Sequence, residues 1–170
     1  MNHFSPEDPR LQVVVHKVMA GHRLDREDGL ALYHTCDLLA LGRMANYVRE
    51  QRHGNRAYCR TQLASPPVPV PSGDEAVVEA LLALRARQDR APELSLYDAA
   101  PSQGDTGFAH LKNIAMARLL LDNVPHICAR LTPPAEKVSL VALHFGADTV
   151  AGPDLHELER LVRAAGREPA

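Results

Sequence analysis

Apolar residues along this chain recur first at helical spacing and later in short continuous runs. Leu11, Val14, Val15, Val18 and Met19 share one face of a helix that Asp8 caps, with Pro9 at its first position and Gly21 as its stop. Asp25 and Asp28 take the cap and third positions of a second helix reaching about residue 34, with Leu24 just outside it. Asp37 opens a third, in which Leu38, Leu41, Met44, Ala45 and Val48 recur at helical spacing before His53 and Gly54 end it. Three helices thus precede any strand.

Beyond Gly54 the rhythm changes. Residues 56–62 predict a short strand, and four prolines then fall within residues 66–71. Each proline removes a ladder donor, so 61–73 predicts an extended linker and not a central strand, with cover of a sheet edge as one use it could serve. Ser72 and Glu75 form a capping-box pattern for a helix to about residue 89. Strands follow at 93–99, 124–130 and 147–150. Helices run from Thr106 to about 122, from Thr132 and Pro133 to Gly146, and over 153–165. Alternation of this kind predicts an α/β fold with parallel strands joined by helical crossovers. No repeat is visible beyond it.

At 170 residues the chain reads as one domain: N-terminal helices (1–54), a first strand with a proline-rich linker (55–72), and βα units (73–170). No run approaches the roughly 18 apolar residues of a membrane span. MNHFSPEDPR has no basic flank followed by an apolar stretch, so a cytoplasmic location is expected. A net charge of −2 with scattered basic residues offers no footprint for nucleic acid or anionic lipid, which leaves small ligands or proteins as partners. Cys36, Cys59 and Cys128 are odd in number and far apart, as reduced thiols are.

Several runs carry a family resemblance. DREDGLALYHTCDLLALGRMANYVREQRHGNRAY near the N-terminus, and TGFAHLKNIAMARLLLDNVPHI and VSLVALHFGAD further on, resemble the aminofutalosine synthases. These are radical S-adenosylmethionine enzymes of the futalosine route to menaquinone. The similarity covers about 11–58 and 106–148, and more faintly the run before residue 89. It implies a (β/α) barrel whose first strand leads into a loop carrying Cys-x3-Cys-x2-Cys, where three thiolates hold a 4Fe–4S cluster and leave one iron open for S-adenosylmethionine. Here Cys59 is followed by prolines and the motif is absent. Neither cluster nor S-adenosylmethionine is therefore expected as a cofactor, and the chain reads as an internally deleted relative with a partial barrel of about four parallel strands.

In a closed barrel the last strand pairs with the first. The expected order is accordingly 93–99, 124–130, 147–150, then 56–62. Two open edges and an apolar inner face then call for cover, and a homodimer or a full-length relative is the expected partner.

Ligands of parallel sheets sit beyond the carboxyl ends of the strands. That makes Asp98, Gln103, Arg130 and Asp148 candidate substrate-binding residues, with His126 on its strand as a fifth. A hydrogen-bonded core role for His126 competes with that reading. No catalytic residue and no metal ligand is assigned, since His34, Cys36 and His53 match no compact metal spacing. A nucleoside or an aromatic acid is the ligand class the resemblance implies.

Overall fold

The computed structural model describes residues 6, 8–63, 67–100, 106–131 and 136–170. Helix α1 (Pro9–Met19) starts at Asp8, whose carboxylate accepts from the Arg10 N–H at 2.9 Å. Leu11, Val14 and Val18 are its buried face, whereas Val15 is half-buried and Met19 exposed. Helix α2 (Arg26–His34) carries the reciprocal capping box of Asp25 and Asp28. Helix α3 (Leu38–His53) is capped by Asp37 through the Ala40 N–H and ends at Gly54, which takes a φ of 60°.

The strands and remaining helices are β1 (Arg56–Arg60), β2 (Val68–Pro69), α4 (Asp74–Arg90), β3 (Leu96–Ala100), α5 (Gly107–Leu120), β4 (His126–Arg130), α6 (Glu136–Ala142), β5 (Thr149–Ala151), α7 (Leu155–Ala164) and β6 (Glu168–Pro169). Several expected bounds change: β1 ends at Arg60, α6 ends at Ala142 before Gly146, and β5 starts at Thr149. Gly73, not Ser72, is the N-cap of α4, and no side-chain cap forms there. Strand β3 starts later than expected because the Gln88 side chain holds its approach, accepting from the Glu93 and Leu94 N–H groups and donating to the Leu94 carbonyl.

All pairings are parallel and the order is β2-β3-β4-β5-β1-β6. The central run β3-β4-β5-β1 is the order that a shortened barrel predicts. Two further strands, each two residues long, cap its edges. Val68–Pro69, within the proline-rich segment, lies beside Ala99 and Ala100, and Glu168–Pro169 lies beside Arg56 and Ala57. Each edge thus ends in a short strand containing a proline, a device that blunts pairing with another chain.

Side chains alternate across the sheet. Ala57, Tyr97, Ile127, Ala129 and Val150 join the main core under the helices, together with Leu41 and Met44 of α3 and Ile114, Met116 and Leu120 of α5. Helix α5 is apolar nearly all round because it is buried nearly all round. The opposite, inner face presents Tyr58, Arg60, Asp98, His126, Cys128, Arg130 and Thr149, together with Leu96 and Ala151. The expected apolar inner face is therefore a mainly polar one, and Ile127 belongs to the helix side. Residues 60–63 leave β1 and cross this inner face, since Arg60, Gln62 and Leu63 line one cavity with Leu96 and His126. Among the described residues no helix is long and apolar enough to cross a membrane.

Candidate functional site

The inner face carries two polar clusters at opposite ends of the strands. At the carboxyl end, Asp98 of β3 and Arg130 of β4 form an ion pair, with Arg130 Nε and Nη2 each 2.6 Å from Asp98 Oδ2. Register explains the meeting: Asp98 lies beside Cys128, so Arg130 is one step further along the same face. Asp98 is 2% exposed, and its other oxygen, Oδ1, is buried without a hydrogen-bond partner among the described residues. A buried acceptor left unpaired costs about 1–3 kcal/mol and marks a place where a ligand or solvent donor is wanted.

At the amino end, Asp148 immediately precedes β5 and is fully buried. Its Oδ1 accepts from Arg118 of α5 and from the Ile127 N–H. Its Oδ2 accepts from His126 Nδ1 at 2.5 Å and from the Thr149 hydroxyl at 3.2 Å. A carboxylate only accepts, so the proton of His126 sits on Nδ1. His53 stacks on His126 with ring centroids 5.2 Å apart, and Tyr58 meets His126 edge-on at 4.8 Å. His53 Nε2 donates to the Pro125 carbonyl at 3.0 Å and lies 3.8 Å from Asp148 Oδ2.

Electrostatics here are set by burial. Burial would raise the Asp148 pKa, but the His126 hydrogen bond, the Arg118 charge, the Ile127 N–H and His53 outweigh it and hold the carboxyl below its ordinary value. Desolvation pushes Arg118 down to about 10 despite Asp148, which leaves it charged at neutral pH. Gly146 permits the approach of Arg118. It has a φ of 101°, a Cβ there would lie 2.8 Å from the Arg118 Cβ, and its carbonyl accepts from Arg118 Nε.

His53, His126 and Asp148 bring potential ligand atoms within 4.8 Å of one another, as a metal site would. The charge balance opposes that use. Arg118 already neutralises Asp148, and both facing ring nitrogens carry protons committed to Asp148 and Pro125. A divalent cation would displace them and add two positive charges beside a buried guanidinium. What the arrangement can do is hold the His126 ring in one tautomer at the wall of a cavity of about 260 Å³. The three cysteines do not gather: Cys36 is exposed between α2 and α3, Cys59 lies within β1 and Cys128 is buried in β4. Burial raises the pKa of the Cys59 and Cys128 thiols, and Asp98 adds to the effect at Cys128.

The five sequence candidates thus separate. Asp98 and Arg130 meet at the carboxyl end as expected. His126, on its strand as expected, meets Asp148 at the amino end, which corrects the placement of Asp148: β5 begins after it, so this carboxylate sits where its strand starts. Gln103 lies outside the described residues. Sequence reasoning missed Arg118, Tyr58 and the site contribution of His53. The available signal for Arg118 was a lone cation inside the apolar run IAMARLLL.

No family profile matches the chain. Parts of it are similar to curated proteins. A stretch covering 30% of the chain is 57% identical to an aminodeoxyfutalosine synthase of Thermus thermophilus, 14% of whose length is matched. A stretch covering 38% of the chain is 35% identical to a cyclic dehypoxanthine futalosine synthase of Streptomyces coelicolor, over 20% of that protein. An aminodeoxyfutalosine synthase of the same organism is 51% identical over 23% of the chain and 10% of its own length. The matches thus span a fifth or less of these relatives. Within those stretches, the resemblance to the aminofutalosine and futalosine synthases holds.

Proposed function

We propose that this chain is an internally shortened relative of the aminofutalosine synthases that binds a ligand at the carboxyl ends of β3 and β4 without cleaving S-adenosylmethionine. The observation that carries the ligand site is Asp98, whose Oδ1 is buried and without a partner among the described residues, beside the ion pair to Arg130. A hydroxyl or amino group of a ligand donates to Oδ1. Arg130 uses Nε and Nη2 on Asp98 and keeps Nη1 for an acceptor such as a carboxylate or a ring nitrogen. A nucleoside, or a hydroxylated aromatic acid, carries both kinds of group, and both suit a chain linked by descent to menaquinone biosynthesis.

The dispersal of Cys36, Cys59 and Cys128 supports the non-radical half of the reading. A 4Fe–4S cluster needs several thiolates at one place, and burial favours the protonated thiol at two of the three. The other reading, an assembly module that pairs with itself or with a full-length relative, relied on open edges and an apolar inner face. Proline-bearing edge strands and a polar inner face weigh against it.

Two measurements test the proposal. After anaerobic reconstitution with iron and sulfide, the protein should retain no cluster absorbance. Roughly four irons per chain, lost on Cys59→Ser, would overturn the non-radical reading. Calorimetric titration with adenosine and with a hydroxybenzoate should show binding of one of them that Arg130→Gln and Asp98→Asn each weaken. Absence of binding by both at millimolar concentration would remove the ligand site.

A further inference from the structure

A second cavity lies on the helix side of the sheet, where α4 meets the proline-rich strand β2. Its volume is about 390 Å³, within the roughly 300–1,000 Å³ of small-molecule sites. Val77, Leu81 and Leu84 of α4 and Tyr97 of β3 line one side, and residues 68–71 form the facing wall. Pro69 and Pro71 fix the backbone of that wall.

Two features distinguish it from a bare apolar groove. Arg87 and Arg90 stand at its rim three residues apart, hence on one side of α4. Both are exposed, and their guanidinium groups make no ion pair or hydrogen bond among the described residues. Tyr97 is 4% exposed, and its hydroxyl likewise has no hydrogen-bond partner among the described residues. Burial pushes the Tyr97 ionisation up to about 12, so at neutral pH the hydroxyl is a donor.

We propose that this cleft binds a small amphipathic carboxylate, with its apolar body between α4 and residues 68–71, its anionic group at Arg87 and Arg90, and an acceptor atom at the Tyr97 hydroxyl. The chemistry selects this occupant. Unpaired cations beside an apolar lining match an anion with an apolar body. A peptide strand added at the edge would need backbone donors from β2, and Pro69 and Pro71 have none to offer. This site is separate from the Asp98 site and does not depend on it.

Naphthoate is a suitable probe, with naphthalenemethanol as its uncharged counterpart. Ligand-observed NMR and calorimetry should show naphthoate binding at sub-millimolar affinity. Arg87→Gln with Arg90→Gln should weaken it about tenfold or more, the equivalent of roughly 1.4 kcal/mol, and leave the alcohol unaffected. Both side chains are exposed, so an unchanged melting temperature would confirm that the fold is intact. Chemical shifts should place the probe at Leu84 and Tyr97, and Tyr97→Phe should weaken naphthoate further. Equal binding to wild type and the double variant, or no binding at millimolar concentration, would overturn the proposal. So would a concentration-dependent dimer that the double variant dissociates, because the cleft would then be an interface between copies.

Discussion

Arg118 of α5 and Asp148 at the start of β5 form an ion pair in which neither side chain is exposed to solvent. Arg118 also donates to the Gly146 and Pro125 carbonyls, so one side chain joins the helix to the entries of two strands. Removing one partner of such a pair leaves a buried charge uncompensated, at a cost of about 3–5 kcal/mol. Asp148→Asn and Arg118→Met should each lower unfolding free energy by that amount in urea titrations. A loss below about 1 kcal/mol would show that water or a rearranged partner satisfies the remaining group.

Acid should weaken the fold in two stages. Burial holds the His53 pKa below its ordinary value, with Asp148 opposing more weakly, and burial does the same at His144. The unfolded chain therefore binds these protons first as pH falls past about 6.5. Their contribution is complete above that pH and is lost as pH falls toward the depressed folded values. Asp148, also depressed, adds a contribution that is complete above about 3.9 and lost below it. Melting temperature should be level near pH 7, and decline first below about 6.5 and again below about 4. His53→Gln should flatten the first decline. A melting temperature that rises on mild acidification would contradict this sign.

Thiol reactivity should follow burial. Cys36 is exposed, Cys59 half-buried and Cys128 buried, with the pKa of the last two raised. Because the thiolate is the nucleophile, an aromatic disulfide reagent should label Cys36 rapidly, Cys59 slowly, and Cys128 only on unfolding. Peptide mass spectrometry reads the order, and rapid labelling of Cys128 in the native protein would place β4 at the surface.

Leu11 tests whether α1 is integral to the fold. Its side chain is fully buried in the main core, so Leu11→Ala should cost about 2–4 kcal/mol. An unchanged melting temperature would make α1 a loose appendage.

Blunted edges and a polar inner face favour a single-chain solution to the shortened sheet. Sedimentation at micromolar concentration should give one monomeric species. A stable dimer would contradict the single-chain solution, and one that persists in the Arg87→Gln, Arg90→Gln variant would place the interface away from the α4 cleft.

The chain's own pattern determined most of the helices. Asp8, Asp25 and Asp37 cap their helices because a short carboxylate reaches the free N–H groups of the first turn, a local interaction that needs no tertiary partner. The order β3-β4-β5-β1 followed from the family resemblance combined with barrel closure. Local pattern was insufficient at Val68–Pro69 and Glu168–Pro169. Two residues carry no periodicity, and only a neighbouring strand offering its ladder made them strands. Tertiary structure alone decided the site. Asp98 meets Arg130, and His126 meets Asp148, because parallel register aligns residues some 20–30 positions apart. Arg118 is buried because Gly146 and Pro125 supply the carbonyls it needs. Such long-range hydrogen bonds are properties of packed elements, and neither spacing nor composition along the chain encodes which partner each polar side chain finds.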